Sequence, residues 1–286
     1  MEDLEYHWSP MVVDAHLHVW RSVPDHPQPS ATIVSPCSDV PVELLRQYMA
    51  EHQVDKAVLV QPLYPGEDNS YVADCAAADP THLAAVCYVD PRREGADQSL
   101  RYWVRERGCR GLRIRPSVSG EDASFGQVTS YPVWETAQEL GIAINLLMRM
   151  EHVPALADLA ERFPQVPILI DHMASPDVSA GTGSPGFKDL LKLSRSSQVS
   201  VKVSGYYYHS DQGWPYRDCH PIFKALYDAY GARRLIWGSD FPHVILKSSY
   251  ASVLAVQERF YTYLSSVEMA AIMGGNAEAI YWSSSD

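Results

Sequence analysis

The sequence has little positive charge and few cysteines, and each shortage excludes a class of function. Its 286 residues contain 23 Lys and Arg against 35 Asp and Glu, which gives a formal net charge of −12 at pH 7. Such an acidic chain is not expected to bind nucleic acid or an anionic membrane, although a few arginines can make one cleft positive. The five cysteines show no C-x-x-C spacing, so we expect reduced thiols in a cytoplasmic protein.

Long hydrophobic runs and nucleotide-binding motifs are also absent. No stretch approaches the length of about 18 apolar residues that a transmembrane helix needs. Residues 1–10 show no apolar segment behind a basic start, as a signal peptide would. No G-x-G-x-x-G follows a predicted strand, and no phosphate-binding P-loop occurs. We therefore expect a soluble intracellular protein that contacts no membrane and lacks the usual marks of a nucleotide site.

What the sequence does contain is a short apolar run that recurs eight times, each time followed by polar residues or by Pro and Gly. The runs are mostly rich in Val, Ile and Leu, as strands covered on both faces should be. Their mean spacing of roughly 30 residues is the length that a strand and a helix need together. The runs are 12–20, 54–62, 83–91, 109–116, 142–148, 167–173, 199–205 and 234–240.

Helical patterns fill several of the gaps between these runs. Alternating strands and helices predict a parallel sheet, and the number of runs favours a closed (β/α)8 TIM barrel, formed by one domain over residues 1–286. The helical patterns are 41–53, 131–140, 152–163, 250–264 and 266–279. Three polar segments that follow strand ends, where barrel enzymes keep their substrate loops, are 21–39, 120–129 and 175–185.

Polar side chains of a catalytic type lie at the carboxyl ends of predicted strands, where barrels of this kind place their active sites. Strand 1 ends with Asp14, His16 and His18, which alternation puts on one face. Strand 6 ends with His172 and strand 8 with Asp240. Any one histidine could be an ordinary core residue, and an Asp after a Gly-Ser turn is often a helix cap. Their coincidence on three strands favours a common site.

Predicted strand 4 ends with Arg113 and Arg115, which are two residues apart and therefore point to the same side of the strand. A guanidinium matches a carboxylate bidentately, so this pair could hold an anionic substrate. The alternative is that one of them bonds Asp90 or Asp14 and braces the barrel. Further side chains could wall the pocket, although ordinary packing explains any one of them: Trp20, Tyr64, Met148, Tyr206, Tyr208 and Trp214.

In their order along the chain, these motifs resemble the amidohydrolase-related proteins. Within that superfamily they resemble the lactonase branch, which includes fuconolactone and rhamnonolactone hydrolases and 2-pyrone-4,6-dicarboxylate lactonases. The resemblance implies a distorted barrel of the amidohydrolase type that hydrolyses a lactone. The matching segments are 14–20 (DAHLHVW), 110–113 (RGLR), 163–164 (FP), 170–172 (IDH), 201–205 (VKVSG), 237–242 (WGSDFP) and 275–277 (GNA).

The resemblance also implies a reduced metal site. Binuclear members carry a Lys or Glu on strand 4 and a His on strand 5, whereas strand 4 here ends in arginines and strand 5 in residues 145–148 (NLLM). What remains is either one divalent metal ion, with zinc preferred, or no ion. The implied ligands are His16, His18, His172 and Asp240.

We interpret the chain as a hydrolase of a small, anionic lactone. Asp240 would activate water, while His16, His18 and His172, with or without one divalent metal, polarise the carbonyl. One alternative keeps the fold and is a zinc-dependent decarboxylase of an aromatic or muconate-type acid. A second alternative is an inactive barrel that binds a small carboxylic acid. The expected partner is a small-molecule lactone, and formation of a homo-oligomer stays open.

Overall fold

Eight parallel strands, hydrogen-bonded in chain order, form the centre of the computed structural model. The structure describes residues 11–21, 39–62, 66–116, 123–260 and 262–283. Each predicted apolar run contains one strand, and the strands are shorter than the runs. The strands are β1 Val13–Leu17, β2 Lys56–Val60, β3 Leu83–Tyr88, β4 Gly111–Ile114, β5 Ala143–Leu146, β6 Ile168–Ile170, β7 Val199–Val203 and β8 Leu235–Trp237.

The sheet closes between β1 and β8 through few contacts. The His18 backbone N–H donates to the Phe241 carbonyl at 2.7 Å, and the Asp240 N–H donates to the His16 carbonyl at 2.8 Å. Gly238 makes this approach sterically feasible, because a Cβ there would lie 2.8 Å from the His16 Cβ. The predicted (β/α)8 barrel is confirmed, with an irregular seam that brings the ends of its first and last strands together.

Helices connect successive strands on the outside of the barrel. The predicted helices at 41–53, 131–140 and 152–163 are confirmed as α1, α4 and α5, and α4 ends at Gly141 in the left-handed conformation that glycine favours. The helices are α1 Val42–Glu51, α2 Ser70–Ala78, α3 Ala96–Arg105, α4 Tyr131–Leu140, α5 Val153–Arg162, α6 Pro185–Lys192, α7 Tyr206–His209, α8 His220–Tyr230, α9 Tyr250–Phe260, α10 Ser266–Ala270 and α11 Asn276–Tyr281.

The predicted helix at 266–279 is interrupted. A π-helical turn, Ala271–Gly275, separates α10 from α11. This turn lies against the start of β1, where a Cβ on Gly274 would lie only 2.1 Å from the Met11 carbonyl oxygen. Helix α11 then packs across the amino-terminal end of the barrel, where the buried Tyr281 donates to Asn145 Oδ1 at 2.7 Å. That end is therefore filled by protein.

The predicted loops differ in how much of them the structure describes. Residues 22–38 of the first loop lie outside the described residues. The second loop contains two short 3-10 helices, Ala123–Gly126 and Val128–Ser130, and the third leads into α6. Among the described residues, no helix is both long and apolar enough to span a membrane.

Candidate active site

The four residues predicted to form the site lie together at the carboxyl end of the barrel. The Nε2 atoms of His16, His18 and His172 lie 3.8, 3.5 and 4.0 Å from Asp240 Oδ1. The His16 ring centroid is 5.0 Å from that of His18 and 4.5 Å from that of His172. No side chain of the four is more than 12% exposed. Three imidazole nitrogens thus surround one buried carboxylate oxygen.

Two of these four residues have a backbone conformation that L-residues rarely adopt. Asp240 has a φ of 60°, and all four residues of His172–Ser175 have φ between 50° and 58°. Left-handed φ/ψ costs a residue with a side chain roughly 1–2 kcal/mol, and such strain concentrates at functional sites. His172 was predicted to end a strand, but β6 ends at Ile170 and His172 belongs to this left-handed turn.

Hydrogen bonds at Nδ1 orient the imidazole rings of His18 and His172. The Nδ1 of His18 lies 2.7 Å from the Val60 carbonyl oxygen, which can only accept, so this nitrogen carries a proton. The Nδ1 of His172 lies 2.9 Å from the hydroxyl oxygen of Ser204. Both rings therefore turn Nε2 towards Asp240. Hydrogen bonds of this kind to the second ring nitrogen orient histidine ligands and general catalysts.

His16 faces a charged network on its Nδ1 side. Its Nδ1 lies 3.2 Å from Lys202 Nζ and 3.3 Å from Asp171 Oδ1. Lys202 and Asp171 lie 3.1 Å apart, and Lys202 also donates to Asn145 Oδ1 at 2.6 Å. The side chains of His16, Lys202 and Asp171 are fully buried. Lys202 lies in the V-K-V-S-G segment that contributes to the family resemblance, but sequence reasoning assigned it no role.

Asp240 is held ionised. Burial raises the pKa of this carboxyl, but attraction to the neighbouring imidazoles in their protonated form, His172 first, outweighs burial and holds the pKa well below its usual range. Its Oδ2 accepts a hydrogen bond of 2.6 Å from the hydroxyl of Tyr207. Burial lowers the pKa of His16, His18 and His172, which favours neutral rings. The site therefore combines one carboxylate with three neutral imidazoles.

These residues could hold a divalent metal. One ligand atom each from His16, His172 and Asp240 lie within 4.8 Å of one another, and His18, Asp240 and His243 form a second such group. The buried Nε2 of His16 has no hydrogen-bond partner among the described residues. Imidazole nitrogen and carboxylate oxygen suit zinc. The predicted ligands thus fall into two groups that share Asp240. The second group also contains His243, three residues after Asp240, which sequence reasoning did not predict as a ligand.

The two predicted substrate-binding arginines differ in burial. Arg113 is 3% exposed and donates to the Gln61 carbonyl at 2.8 Å, while its Nε has no partner among the described residues. Arg115 follows the end of β4 and is half-buried. Burial lowers the pKa of both guanidiniums, which still remain far above neutral pH. Arg113 in particular retains donors for a further acceptor.

The two carboxylates proposed as bracing partners of these arginines have other partners. Asp90 binds Arg92, with 2.7 Å between the Arg92 Nε and Asp90 Oδ1. Asp14 accepts hydrogen bonds from the Ser239 N–H at 2.9 Å and the Tyr250 hydroxyl at 2.7 Å. Asp14 therefore joins β1 to the segment after β8.

The predicted wall residues lie in different surroundings. The Trp20 side chain is buried, and its ring centroid lies 6.4 Å from that of His243, beside the second ligand group. Met148 is buried in the hydrophobic core. Tyr206 is buried and stacks on Tyr216 with centroids 6.4 Å apart.

The remaining wall candidates are more exposed or lie outside the described part of the chain. Tyr208 is 54% exposed and Trp214 is 41% exposed. Tyr64 lies outside the described residues. The tyrosine that does contact Asp240 is Tyr207, between two predicted candidates, because the short helix α7 points successive side chains in different directions.

Comparison with known proteins finds relatives over nearly the whole chain. Residues 13–282 match the family model described as Amidohydrolase. An L-fucono-1,5-lactonase of Burkholderia ambifaria is 29% identical over 277 residues, which cover 94% of each chain. A 4-sulfomuconolactone hydrolase of Rhizobium radiobacter is 29% identical over 230 residues, which cover 80% of this chain and 75% of that protein.

Solved structures share the architecture. An amidohydrolase of Burkholderia multivorans with bound zinc is 24% identical with a TM-score of 0.82, covering 95% of this chain and 99% of that one. A 5-carboxyvanillate decarboxylase of Sphingomonas paucimobilis is 15% identical with a TM-score of 0.69, covering 96% and 99%. At these identities the likeness shows the fold alone, so it does not separate hydrolysis from decarboxylation.

Proposed function

Because the chain belongs to the amidohydrolase family, we propose that it hydrolyses a small lactone at the carboxyl end of its barrel. The observation that carries the proposal is the convergence of three imidazole Nε2 atoms, 3.5–4.0 Å away, on the ionised Asp240. One base beside several groups able to polarise a carbonyl is what ester hydrolysis requires. The two curated relatives, both named for lactone hydrolysis, support the same class of substrate.

In the first step, Asp240 is the general base. Its Oδ1 faces the imidazole Nε2 atoms, while the Tyr207 hydroxyl donates to Oδ2 at 2.6 Å and so fixes the plane of the carboxylate. Asp240 removes one proton from a water molecule as the water oxygen attacks the lactone carbonyl carbon. The carbonyl π electrons move to the carbonyl oxygen, which becomes an oxyanion.

In the second step, the oxyanion collapses and the ring opens. His16 and His172 present ring nitrogens from β1 and from the left-handed turn after β6, and an Nε2–H on either ring would donate to the oxyanion. The bond to the ring oxygen then breaks, and the Asp240 carboxylic acid returns its proton to that leaving oxygen. The product is a hydroxy acid, and Asp240 is again a carboxylate.

The same residues fit a divalent ion. His16, His172 and Asp240 would hold it, with His18 and His243 as the neighbouring group. When bound, such an ion would supply Lewis-acid polarisation of the substrate carbonyl.

The preferred substrate is an anionic lactone. Arg113 and Arg115 extend from the end of β4, and in strand order β4 lies across the barrel from β8 and Asp240. A substrate carboxylate or sulfonate held by these guanidiniums would place its ring over the imidazoles. The relative named for 4-sulfomuconolactone supports an anionic substrate, while the relative named for L-fucono-1,5-lactone makes neutral sugar lactones the necessary comparison.

The proposal is tested with a panel of anionic and neutral lactones at neutral pH, with acid release and CO2 release both measured. We expect stoichiometric acid without CO2, and the Asp240→Asn variant as a matched inactive control. Release of CO2 from aromatic or muconate-type acids would establish the decarboxylase instead. Binding of carboxylic acids with no turnover of the panel would establish an inactive binding protein.

A further inference from the structure

The buried charged residues on the Nδ1 side of His16, Lys202 and Asp171, take no part in the proposed reaction. Lys202 on β7 is fully buried, and three acceptor atoms lie within 3.2 Å of its Nζ: Asn145 Oδ1 at 2.6 Å, Asp171 Oδ1 at 3.1 Å and His16 Nδ1 at 3.2 Å. A lysine ammonium has three N–H donors and no acceptor. The contacts with Asn145 and His16 are hydrogen bonds and the contact with Asp171 is an ion pair, and the ammonium satisfies all three when the His16 Nδ1 carries a lone pair.

We propose that Lys202 is a positioning residue that keeps the proton of His16 on Nε2 and weakens the binding of a divalent metal at that ring. The inference rests on the proposed role of His16 as a carbonyl-polarising group. A lone pair on Nδ1 places the proton of a neutral imidazole on Nε2, where it faces Asp240 and the substrate. His16 is then a hydrogen-bond donor to the developing oxyanion.

Metal binding would require the opposite tautomer. The His16 Nε2 would have to release its proton, and Nδ1–H would then donate to Asp171 Oδ1, 3.3 Å away. This move replaces the Lys202–His16 hydrogen bond with two donors facing each other 3.2 Å apart. Lys202 therefore opposes the metal-binding form of the ring, while Asp171 favours it.

The charges of the buried network point the same way. Lys202 and Arg113 are its cations, Asp171 and Asp240 are its anions, and Asp14 is a further buried carboxyl that interacts with Lys202. A divalent ion would add two positive charges a few ångströms from a buried ammonium, where Coulomb repulsion is weakly screened. Removing the Lys202 charge should therefore raise metal affinity.

The experiment measures zinc affinity of chelator-stripped protein by competition with a chromophoric chelator. We expect Lys202→Met, which keeps an unbranched side chain and removes the charge, to bind zinc about tenfold more tightly or more. Asp171→Asn should bind it more weakly than wild type. Lys56→Met is the matched control, since Lys56 also pairs with a carboxylate, Glu278 at 2.8 Å, but at the start of β2 and away from the histidines.

Loss of Lys202 alone leaves Asp171 buried without its cation, and such a variant can fail to fold. The same comparison is therefore made between Asp171→Asn and the double variant Asp171→Asn/Lys202→Met. The double variant removes both charges of the Lys202–Asp171 pair, and it is again expected to bind zinc more tightly than Asp171→Asn. Nitrogen-15 spectra of labelled histidine report the His16 tautomer directly, with Nε2–H expected in metal-free wild type and a shift towards Nδ1–H in Lys202→Met.

Unchanged or weaker zinc binding upon loss of Lys202 would overturn the proposal, as would a His16 proton on Nδ1 in the metal-free wild type. Both measurements are independent of turnover. If the protein hydrolyses no lactone, the proposed function fails while the effect of Lys202 on the tautomer and on zinc affinity is still decided.

Discussion

The two sides of the barrel mouth carry opposite chemistry. On the side of β1, β6 and β8, neutral imidazoles surround the ionised Asp240. On the side of β4 and β5, Arg113 and Arg115 bring positive charge. Under the proposed function, bonds are made and broken on the first side, while the charge of the substrate is recognised on the second. Substitutions on the two sides should therefore have different kinetic signatures.

The two sides are nevertheless coupled electrostatically. Burial is the largest cause of the lowered pKa of His18 and His172, and the charge of Arg113 lowers both further. Arg113 thus helps to keep the imidazoles neutral, while its own Nε has no hydrogen-bond partner among the described residues. A substrate anion bound to Arg113 would weaken this influence, so binding and proton transfer are linked through one residue.

The largest effect is expected on the imidazole side. Asp240→Asn should lower kcat by about 10²-fold or more with little change in KM, because an amide cannot accept a proton from water. Steady-state kinetics on the best lactone, with circular dichroism to monitor folding, measure this effect.

A near wild-type kcat for Asp240→Asn would show that Asp240 only shapes the segment after β8, where it adopts its positive φ. Ser239→Ala is a useful companion, since the Ser239 hydroxyl accepts the Phe241 N–H at 2.9 Å in the same turn. It disturbs the turn and keeps the carboxylate.

Substitution of Arg113, on the β4 side of the barrel, is expected to have a smaller effect that is restricted to anionic lactones. Arg113→Met should lower kcat/KM for anionic lactones roughly thirtyfold, equivalent to the loss of about 2 kcal/mol from one charge-assisted contact. Neutral sugar lactones should be spared. Kinetics on matched anionic and neutral lactones give the ratio, with Arg92→Met as the control because Arg92 pairs with Asp90 at the surface.

Equal losses on both lactone classes would mean that Arg113 supports the barrel through its 2.8 Å bond to the Gln61 carbonyl. Equal activity of the wild-type protein on anionic and neutral lactones would contradict the proposal that the β4 side recognises a substrate anion.

Within the imidazole side, the Tyr207 hydroxyl should matter less than the carboxylate that it holds. Tyr207→Phe removes one hydrogen bond to a charged group, which typically contributes about 1.5 kcal/mol, so we expect kcat to fall about tenfold. Tyr208→Phe, one residue along the same helix and half-exposed, should have no effect on kcat. A fall in both variants would indicate a change in helix α7 rather than in Asp240.

The sequence was sufficient to predict the strands and the residues at their ends, and insufficient to predict their contacts. Recurrent apolar runs reflect burial on both faces, and strand alternation places His16 and His18 on one face. The left-handed turn that carries His172 has no glycine to mark it. The proximity of Lys202 to His16 depends on how β7 and β1 are placed around the closed barrel, which no local pattern encodes.

The smallest effect is expected for Arg115, and it sharpens the comparison between the two sides. Arg115 is half-buried beyond the end of β4, whereas Arg113 is 3% exposed within it. Solvent screens a partly exposed guanidinium more than a buried one, and ion pairs near the surface typically contribute about 0.2–1 kcal/mol. Arg115→Met should therefore lower kcat/KM for anionic lactones only about threefold, and the loss should disappear at high salt, since screening lengths fall to about 3 Å at 1 M. The Arg113→Met loss should persist, because a buried pair is screened much less. Kinetics of both variants at low and high ionic strength test this difference, and a salt-resistant loss in Arg115→Met larger than that in Arg113→Met would reverse the assignment of the principal anion-binding arginine.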